Sequence, residues 1–333
     1  MTAGRVRGSV EPGMVSNEFT TDVLVIGAGM AGLIAAAELQ RAGRSVRVLD
    51  KGRGVGGRLA SRRIEGVTFD HGAQCFTLGD PRLAADTFRT RFGDTVVEWG
   101  PGTESQCRWR GTPSMSAVPK RLAQGLDVRL EITVTALRQD GDRWSALTAS
   151  GGTFSAGSVV LTPPVPQALV LLDAGGVVLP PALRSRLTAI EYDRCLAVMA
   201  LLDGPSRIPP PGGIAPASGP IAWITDNVQK GIASEPAVTL HATPAFSVEY
   251  WDRDRLESGR LLLDAGAKWL GAGVRTFQVH GWRYSQPRVA DPDRCLVVGE
   301  SPLLVLAGDG FGGGGVEGAA LSGMAAAEAI LSH

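Results

Sequence analysis

Three glycines near the N-terminus have the spacing of a dinucleotide-binding turn. Gly27, Gly29 and Gly32 form the pattern G-x-G-x-x-G between an apolar segment and a helix-like segment. Gly27 permits a tight turn, Gly29 lets the backbone approach a pyrophosphate, and Gly32 lets the helix pack closely on the strand. The N-terminus of that helix would direct free N–H groups and a positive dipole end at the phosphates. We therefore expect this turn to bind a dinucleotide.

An acidic residue stands where a dinucleotide-binding unit needs one. Asp50 ends the apolar segment SVRVLD, and a carboxylate at this place accepts hydrogen bonds from the adenosine ribose. The order strand, helix, strand over residues 22–50 is that of a βαβ unit. The turn and the carboxylate together predict a Rossmann-type nucleotide-binding domain at the start of the chain.

Two further segments favour FAD over NAD as the bound dinucleotide. Directly after Asp50, the segment KGRGVGGRLASRR carries Gly57 and Arg58, which could bring backbone and a guanidinium to a pyrophosphate. In a simple NAD dehydrogenase the second strand would lead straight into another helix. Near the C-terminus, a strand ends at Asp309, where a carboxylate suits ribityl hydroxyls, and a helix begins near Glu317 with its positive end towards the flavin.

The elements that position these residues predict two interleaved structural units in an α/β fold. Segments at both ends of the chain alternate strand and helix, and the middle is rich in antiparallel strand patterns, including a hairpin around DGD. Residues 81–92 predict a helix, and the Pro- and Gly-rich residues 203–220 predict a surface loop. We assign residues 1–19 to a disordered or extra N-terminal tail, residues 20–78, 117–190 and 288–333 to a Rossmann-type FAD-binding domain, and residues 79–116 and 191–287 to a mainly antiparallel β substrate domain.

Composition excludes several classes of function. Lys plus Arg and Asp plus Glu both total 33, so no net charge attracts nucleic acid or an anionic membrane surface. The four cysteines form no C-x-x-C pair, which favours a reducing compartment, and the four histidines lack metal-ligand spacing. No apolar run approaches the length of a membrane span, and the N-terminus lacks the apolar region of a secretory signal. We expect a cytoplasmic protein without a metal, a membrane partner or a nucleic-acid partner.

Several motifs together resemble the renalase family of amine-oxidase-like flavoproteins. These are VIGAGMAGL, DKGRGVGGRLASRR, FDHGAQCF, LTPPVPQAL, GWRYSQP and LAGDGFGGGGVEGAALSG, and the resemblance covers nearly the whole chain after residue 20. It implies a p-hydroxybenzoate-hydroxylase-like fold with FAD as the cofactor. Residues 312–315 contain no cysteine of the kind that tethers FAD in many amine oxidases, and only Phe311 is aromatic nearby. We therefore expect FAD to be bound non-covalently.

The resemblance also implies an activity, the oxidation of 2- and 6-dihydro isomers of NAD(P)H. Hydride transfer to flavin would yield NAD(P)⁺, and oxygen as the acceptor would yield hydrogen peroxide. The alternatives are an FAD amine oxidase or desaturase acting on an amine or a lipophilic ring, and a non-catalytic flavin- or nucleotide-binding protein. The motifs and the resemblance together predict a cofactor site formed by Gly27, Ala28, Gly29, Met30, Ala31, Gly32, Asp50, Lys51, Gly57, Arg58, Leu59, His71, Gly72, Ala73, Gln74, Val134, Thr162, Asp309, Glu317 and Gly318.

Hydride transfer needs a donor carbon held close to the flavin in a dry pocket, so positioning residues are expected rather than a catalytic base. Trp282 or Tyr284 could offer a flat wall to a nicotinamide ring. His241, at a strand end, could hydrogen-bond the ligand. Two amides could read the nicotinamide carboxamide, and a third could lie beside the isoalloxazine ring. The predicted positioning residues are Gln74, Asn227, His241, Trp282, Tyr284 and Gln286.

Overall fold

The computed structural model describes residues 18–83, 92–100 and 108–333. The helix predicted over residues 81–92 lies mostly outside these residues, as does the tail except for its last two positions. Those two positions belong to the first strand, Glu18–Ile26, and pair in parallel with Thr153 and Phe154. The first strand therefore begins earlier than its apolar segment suggests, because backbone pairing continues into the polar sequence EFTT.

A mixed eight-stranded sheet forms the centre of the molecule. The strands of the βαβ unit lie in its middle, where each has a parallel neighbour on both sides and is buried on both faces. The predicted hairpin around DGD extends one flank of the sheet. The sheet contains β1 (Glu18–Ile26), β2 (Val46–Leu49), β8 (Asp127–Arg129), β9 (Val134–Asp140), β10 (Arg143–Thr148), β11 (Thr153–Leu161), β17 (Leu296–Glu300) and β18 (Leu303–Leu306).

Helices cover both faces of this sheet. On one face α1 packs against the C-terminal helix α7, and Gly323 permits the contact because a Cβ there would lie 2.3 Å from the Ala31 carbonyl oxygen. Two other helices bury Leu169 and Leu187 on the opposite face. The predicted α/β fold with a Rossmann-type unit is confirmed. The helices of this domain are α1 (Met30–Arg41), α2 (Ala117–Leu122), α3 (Val165–Ala174), α4 (Pro181–Thr188) and α7 (Gly315–Leu331).

A second, five-stranded sheet is antiparallel throughout and follows the order β13, β14, β15, β12, β16. One face packs against helix α6, which buries Leu262 and Leu263 there. The predicted surface loop over residues 203–220 includes the short edge strand of this sheet, because Gly213 and Ile214 pair with Thr225 and Ile224. The elements are β12 (Glu191–Leu202), β13 (Gly213–Ile214), β14 (Ile221–Asp226), β15 (Ala237–Ala242), α5 (Pro244–Glu249), α6 (Arg255–Leu270) and β16 (Val274–Val289).

Two small sheets connect the large ones. In the first, Ser61 to Ile64 pair with Val67 to Asp70; the second has three antiparallel strands. Within the described ranges, no helix is long and apolar enough to cross a membrane. The strands of the small sheets are β3 (Ser61–Ile64), β4 (Val67–Asp70), β5 (Phe76–Thr77), β6 (Val96–Glu98) and β7 (Arg108–Gly111).

Candidate active site

A cavity of 1810 Å³ lies between the nucleotide-binding unit and the five-stranded sheet. Its volume exceeds the roughly 300–1,000 Å³ of a pocket for one small ligand, so it has room for a dinucleotide and a second molecule. Gly-rich turns at Gly27, Gly57 and Gly314 form what we call the glycine wall. Side chains of β12, β14, β15 and β16 form the opposite side, which we call the sheet wall.

The three glycines of the first turn each meet a different steric demand. Gly27 has φ +108°, and a Cβ there would lie 2.4 Å from the Thr162 hydroxyl oxygen. A Cβ on Gly32 would lie 2.0 Å from the carbonyl oxygen of Gly27, so a side chain there would push α1 away from β1. Gly29 has nothing within 4 Å of a Cβ and lines the cavity. The turn therefore leaves open space directly in front of the N-terminus of α1.

Asp50 stabilises this turn through hydrogen bonds to its backbone. Its carboxylate accepts hydrogen bonds from the backbone N–H of Ala28 and of Gly52, both at 2.6 Å. Two N–H donors leave further acceptor capacity on a carboxylate, and Asp50 lines the cavity beside Lys51. Asp50, which was predicted to bind the adenosine ribose, therefore also stabilises the glycine turn.

The second glycine segment is pressed against the loop that follows β4. The N–H of Gly56 donates to the Ala28 carbonyl oxygen at 2.7 Å, which joins the two turns. A Cβ on Gly72 would lie 1.9 Å from the carbonyl oxygen of Arg58, and the N–H of Ala73 donates to that oxygen at 2.9 Å. Gly72 is therefore required by packing between backbones.

Arg58 joins three distant segments at the centre of the cavity. Its guanidinium donates to both carboxylate oxygens of Asp309, at 2.6 and 2.7 Å. It also donates to the carbonyl oxygens of Tyr284 and Ser285, at 3.3 and 3.2 Å. A bidentate pair of this kind is strong and fixes geometry. The second glycine segment, the end of β18 and the five-stranded sheet are thereby held at one point.

The C-terminal glycine run completes the glycine wall. Residues 312–315 all have positive φ, a backbone conformation that glycine adopts without strain, and they lead into α7. The Glu317 carboxylate accepts hydrogen bonds from the N–H groups of Gly79 and Asp80, the latter at 2.7 Å. This predicted cofactor residue therefore anchors the loop after β5 to the start of α7, and it also lines the cavity.

These walls fit a bound flavin dinucleotide. The space above Gly29, the exposed N-terminus of α1 and the chain of wall residues from Val134 to Gln74 provide a path between adenine and flavin positions. Residues 312–315 contain no side chain that could form a covalent link. The predicted residues Ala28, Gly32 and Gly318 do not line the cavity; they shape the turns behind the wall.

Gln74 sits in a buried polar network at the edge of the cavity. Its amide nitrogen donates to the carbonyl oxygens of Asp70 and Gly72, at 2.6 and 3.1 Å. Its amide oxygen accepts from the ammonium of Lys230 at 3.4 Å. Gln74 therefore stabilises the turn at residues 70–74 through hydrogen bonds to the backbone of that turn.

Lys230 was not singled out by its sequence position. Its side chain is 0% exposed, and its ammonium donates to the Asp70 carboxylate at 2.8 Å, which is also 0% exposed. Asp70 accepts further hydrogen bonds from the Ser61 hydroxyl and the Met115 N–H. Burial lowers the pKa of Lys230, and the adjacent carboxylate opposes that shift. This buried ion pair ties the loop after β14 to the turn that carries Gln74.

One row of paired residues crosses the four strands that form the sheet wall. Trp223 pairs with His241, His241 with Ala197, and Ala197 with His280. Trp282, two residues after His280, projects from the same face of β16. Ala197 lies between the two histidines in this row. The register of antiparallel strands thus gathers residues that lie far apart in the sequence.

The loop at His71 docks into this row. Its carbonyl oxygen accepts hydrogen bonds from the Trp282 indole N–H at 2.8 Å and from His241 Nε2 at 3.2 Å. The His71 ring stacks on Trp282 with centroids 5.2 Å apart, and it meets His280 edge-on at 4.9 Å. These contacts hold the loop at His71 against the five-stranded sheet.

All three imidazoles are neutral at pH 7. Burial lowers the pKa of His71 to about 3, and it lowers the pKa values of His241 and His280 to about 4. Since the carbonyl oxygen of His71 can only accept, His241 Nε2 carries the proton and Nδ1 is left as an acceptor. His241 is thus suited to orient a donor on a ligand, and it is not a cation at neutral pH.

The other predicted positioning residues divide into two groups. Trp282, Tyr284 and Gln286 line the cavity together with His241 and Gln74. Asn227 does not; it is fully buried, and its amide donates to the Ala237 carbonyl and the Thr239 hydroxyl oxygens. Asn227 therefore belongs to the turn after β14 rather than to a ligand contact, because its amide is used within the sheet.

Trp223 and Arg108 line the cavity but were not among the predicted site residues. Trp223 contributes an aromatic face, and its indole N–H donates to the Thr225 hydroxyl oxygen at 2.7 Å. The guanidinium carbon of Arg108 lies over that ring, 5.0 Å from its centroid. The tryptophan of the segment WITD carried a usable signal, since an aromatic residue in a strand of the predicted substrate domain is a candidate ligand wall.

The cavity is strongly cationic, although the whole chain is neutral. Among the described residues, nine lysine or arginine side chains line it, against four carboxylates, one of which is paired with Arg58. Such a concentration of one sign attracts anionic ligands and disfavours cationic ones. The cations are Lys51, Arg53, Arg58, Arg62, Arg63, Arg108, Lys120, Arg194 and Arg283, and the carboxylates are Asp50, Asp193, Asp309 and Glu317.

Comparison with known proteins agrees with this architecture. The chain is 27% identical to renalase of Mus musculus over 87% of this chain and 92% of the relative. It is 44% identical to putrescine oxidase of Kocuria rosea over 25% of this chain and 19% of the relative. A solved structure of wild-type putrescine oxidase bound to putrescine superimposes with a TM-score of 0.68 at 15% identity, over 95% of this chain and all of that one, which shows the shared fold.

Two family models divide the chain between them. Residues 25–92 match the NAD(P)-binding Rossmann-like domain, which contains the first glycine turn and Asp50. Residues 98–331, well over half of the chain, match the flavin containing amine oxidoreductase family. The predicted resemblance to renalase and the assignment as a flavin-dependent oxidoreductase are confirmed. The chain belongs to the flavin containing amine oxidoreductase family.

Proposed function

We propose that this protein is a renalase-like oxidase that binds FAD non-covalently and oxidises 2- or 6-dihydro isomers of NAD(P)H to NAD(P)⁺. Oxygen is the proposed acceptor, with hydrogen peroxide as its product. The observation that carries the choice of substrate is the excess of cationic side chains in the cavity. The pyrophosphate of FAD offsets only part of that excess, so a second anionic ligand, such as a dinucleotide, suits the remaining charge.

The glycine wall supplies the residues that would hold FAD. Gly29 and the N-terminus of α1 suit the pyrophosphate, Asp50 and Lys51 suit the adenosine ribose, and Asp309 suits the ribityl chain. When bound, FAD would accept the hydride from the substrate and pass the electrons to oxygen. Cys75, Cys195 and Cys295 are free thiols, in keeping with the reducing cytoplasm proposed as its location.

The protein's own contribution is to orient the substrate and exclude water. Trp282 and Tyr284 offer aromatic surface to a nicotinamide ring. The free Nδ1 of His241 would accept a hydrogen bond from the carboxamide, and Gln286 lies on the same wall. Neutral imidazoles avoid repelling a substrate ring that gains positive charge as it loses a hydride. None of these steps needs a catalytic base.

The same cavity is poorly suited to a cationic amine. An alkyl amine is protonated at neutral pH, with a pKa near 10, and would enter a cavity lined by nine cations. The putrescine oxidase relative matches only a quarter of this chain, so that similarity carries no argument about substrate. Charge therefore separates the proposed activity from amine oxidation within one shared fold.

The test is an anaerobic donor panel with the flavin-loaded protein. Rapid bleaching of the flavin by 2- or 6-dihydroNAD(P), followed by hydrogen peroxide formation on admission of oxygen, is the expected result. Bleaching by amines instead would support amine oxidation. A flavin that no donor bleaches would indicate a binding protein without turnover.

A further inference from the structure

Arg108 is a cation on the surface of the cavity. It is half-buried at the start of β7, and among the described residues it has no carboxylate partner. By contrast, Arg58 is paired with Asp309, and Arg194 lies over the Trp251 ring at 4.9 Å. Holding an unpaired guanidinium partly out of water costs free energy that a bound anion would offset.

Arg108 lies in the part of the cavity that Gln74, Cys75 and Trp223 also line. It pairs in register with Thr77 of β5, shortly after Gln74 and Cys75, which also line the cavity. Its guanidinium lies over Trp223, and Trp223 pairs in register with His241. Arg108 therefore lies against the sheet wall, where the second ligand is proposed to bind.

The ring beneath Arg108 also prepares it for anion binding. A guanidinium held against an aromatic face loses little further freedom when it binds, and its planar set of N–H donors matches the oxygens of a phosphate. Lysine could not fill this role equally, since its ammonium has no planar donor set. The geometry is that of an arginine fixed in place before its ligand arrives.

We propose that Arg108, stacked on Trp223, binds the pyrophosphate of the dinucleotide substrate and selects phosphate-bearing dihydronicotinamides over phosphate-free ones. This inference rests on the proposed function, and it names the residue that distinguishes a dinucleotide from a riboside. Arg108 acts on substrate binding and takes no part in hydride transfer itself.

The experiment compares two donors with the flavin-loaded protein under anaerobic conditions. One donor is 2-dihydroNAD and the other is the phosphate-free 2-dihydronicotinamide riboside; both deliver the same hydride. The proteins are wild type, Arg108→Gln and the control Arg138→Gln, which removes an exposed arginine paired with Asp140. The second-order rate constant of flavin bleaching is measured for each pair.

In Arg108→Gln, we expect the rate constant for the dinucleotide to fall at least tenfold more than that for the riboside, because a charge-assisted contact is lost for one donor only. Arg138→Gln should change neither. Equal losses for both donors, or no loss, would overturn the assignment of Arg108.

A second measurement separates this inference from the proposed function. Inorganic pyrophosphate is titrated into the flavin-loaded proteins by calorimetry, with FAD already occupying its own site. We expect its dissociation constant to rise at least tenfold in Arg108→Gln and to be unchanged in Arg138→Gln. If neither donor bleaches wild type, the proposed function fails and this titration alone decides; equal affinity in all three proteins, or no binding at all, refutes the anion site.

Discussion

The two walls of the cavity are made in different ways. The glycine wall is made of backbone: turns at Gly27, Gly57 and Gly314 leave space because side chains are missing there. The sheet wall is made of side chains, and Trp223, His241 and Trp282 come from three strands. A wall of backbone can accept only a ligand of fixed shape. A wall of side chains can change its ligand by substitution, which explains how related folds oxidise different substrates.

The largest effect should come from the buried ion pair that joins the loop after β14 of the sheet wall to the turn packed against Arg58, next to the glycine wall. Lys230→Met leaves the Asp70 carboxylate buried without its partner, and the free energy of unfolding should fall by about 3–5 kcal/mol. Urea denaturation measures this loss. Lys268→Met, at an exposed position, is the control and should shift stability by no more than about 0.5 kcal/mol. An equal loss of the free energy of unfolding in the two variants would show that the buried pair stabilises the fold no more than an exposed lysine does.

Substitutions at Gly29 and Gly32, three positions apart, should have different effects: one on flavin binding and the other on the stability of the fold. Gly32→Ala forces a Cβ against the Gly27 carbonyl oxygen and should cost about 1–3 kcal/mol of stability. Gly29→Val points into open space, so the flavin-free protein should keep its stability while retained flavin falls. Denaturation and the ratio of flavin to protein absorbance measure the two effects. A Gly29→Val protein that purifies fully loaded would contradict the placement of the pyrophosphate.

The histidines of the docked loop and the sheet wall predict a pH dependence. Their pKa values are about 3 for His71 and about 4 for His241 and His280, against about 6.5 in an unfolded chain. Between pH 6.5 and 4 the unfolded state binds more protons, so the free energy of unfolding falls as the pH is lowered. Each histidine contributes a slope of up to about 1.4 kcal/mol per pH unit.

Urea denaturation at several pH values in this window measures that slope. His280→Gln should reduce it, because one histidine no longer titrates on unfolding. His333→Gln, at the exposed C-terminus, should leave it unchanged. A slope that is insensitive to His280→Gln would mean that this ring is protonated in the folded protein.

The smallest effect is expected where the glycine wall meets the sheet wall through Arg58. Asp309→Ala removes the bidentate partner of Arg58, and flavin affinity should weaken about tenfold, or roughly 1.4 kcal/mol. Equilibrium dialysis of FAD measures the change. Asp173→Ala removes an exposed partner of Arg184 and should not alter flavin binding. Unchanged affinity in Asp309→Ala would exclude this residue from the cofactor site.

The glycine wall was predictable because its signals are local in the sequence. Gly27, Gly29, Gly32 and Asp50 lie within one βαβ unit, and steric rules for glycine and strand ends apply to any chain. The fold class followed from the same unit. The steric role of Gly72 was less visible, since its close neighbour is the backbone of Arg58.

The sheet wall was predictable only in part. The row from Trp223 to His280 depends on the register of four antiparallel strands, and one sequence does not specify that register. His241 and Trp282 were identified through family resemblance, whereas Arg108 and Lys230 were missed. Asn227 was assigned to a ligand although its amide completes a buried turn. Which way a polar side chain points is decided by tertiary packing.

The bidentate contact between Arg58 and Asp309 also has a consequence for biosynthesis. The two residues lie 251 positions apart, and the strand that delivers Asp309 pairs with β11 near the middle of the large sheet. A ribosome therefore makes this carboxylate only after it has synthesised the first glycine turns, β11 and the five-stranded sheet. A protein truncated before Asp309 would carry Arg58 without its bidentate partner, so flavin loading would report that synthesis had passed residue 309.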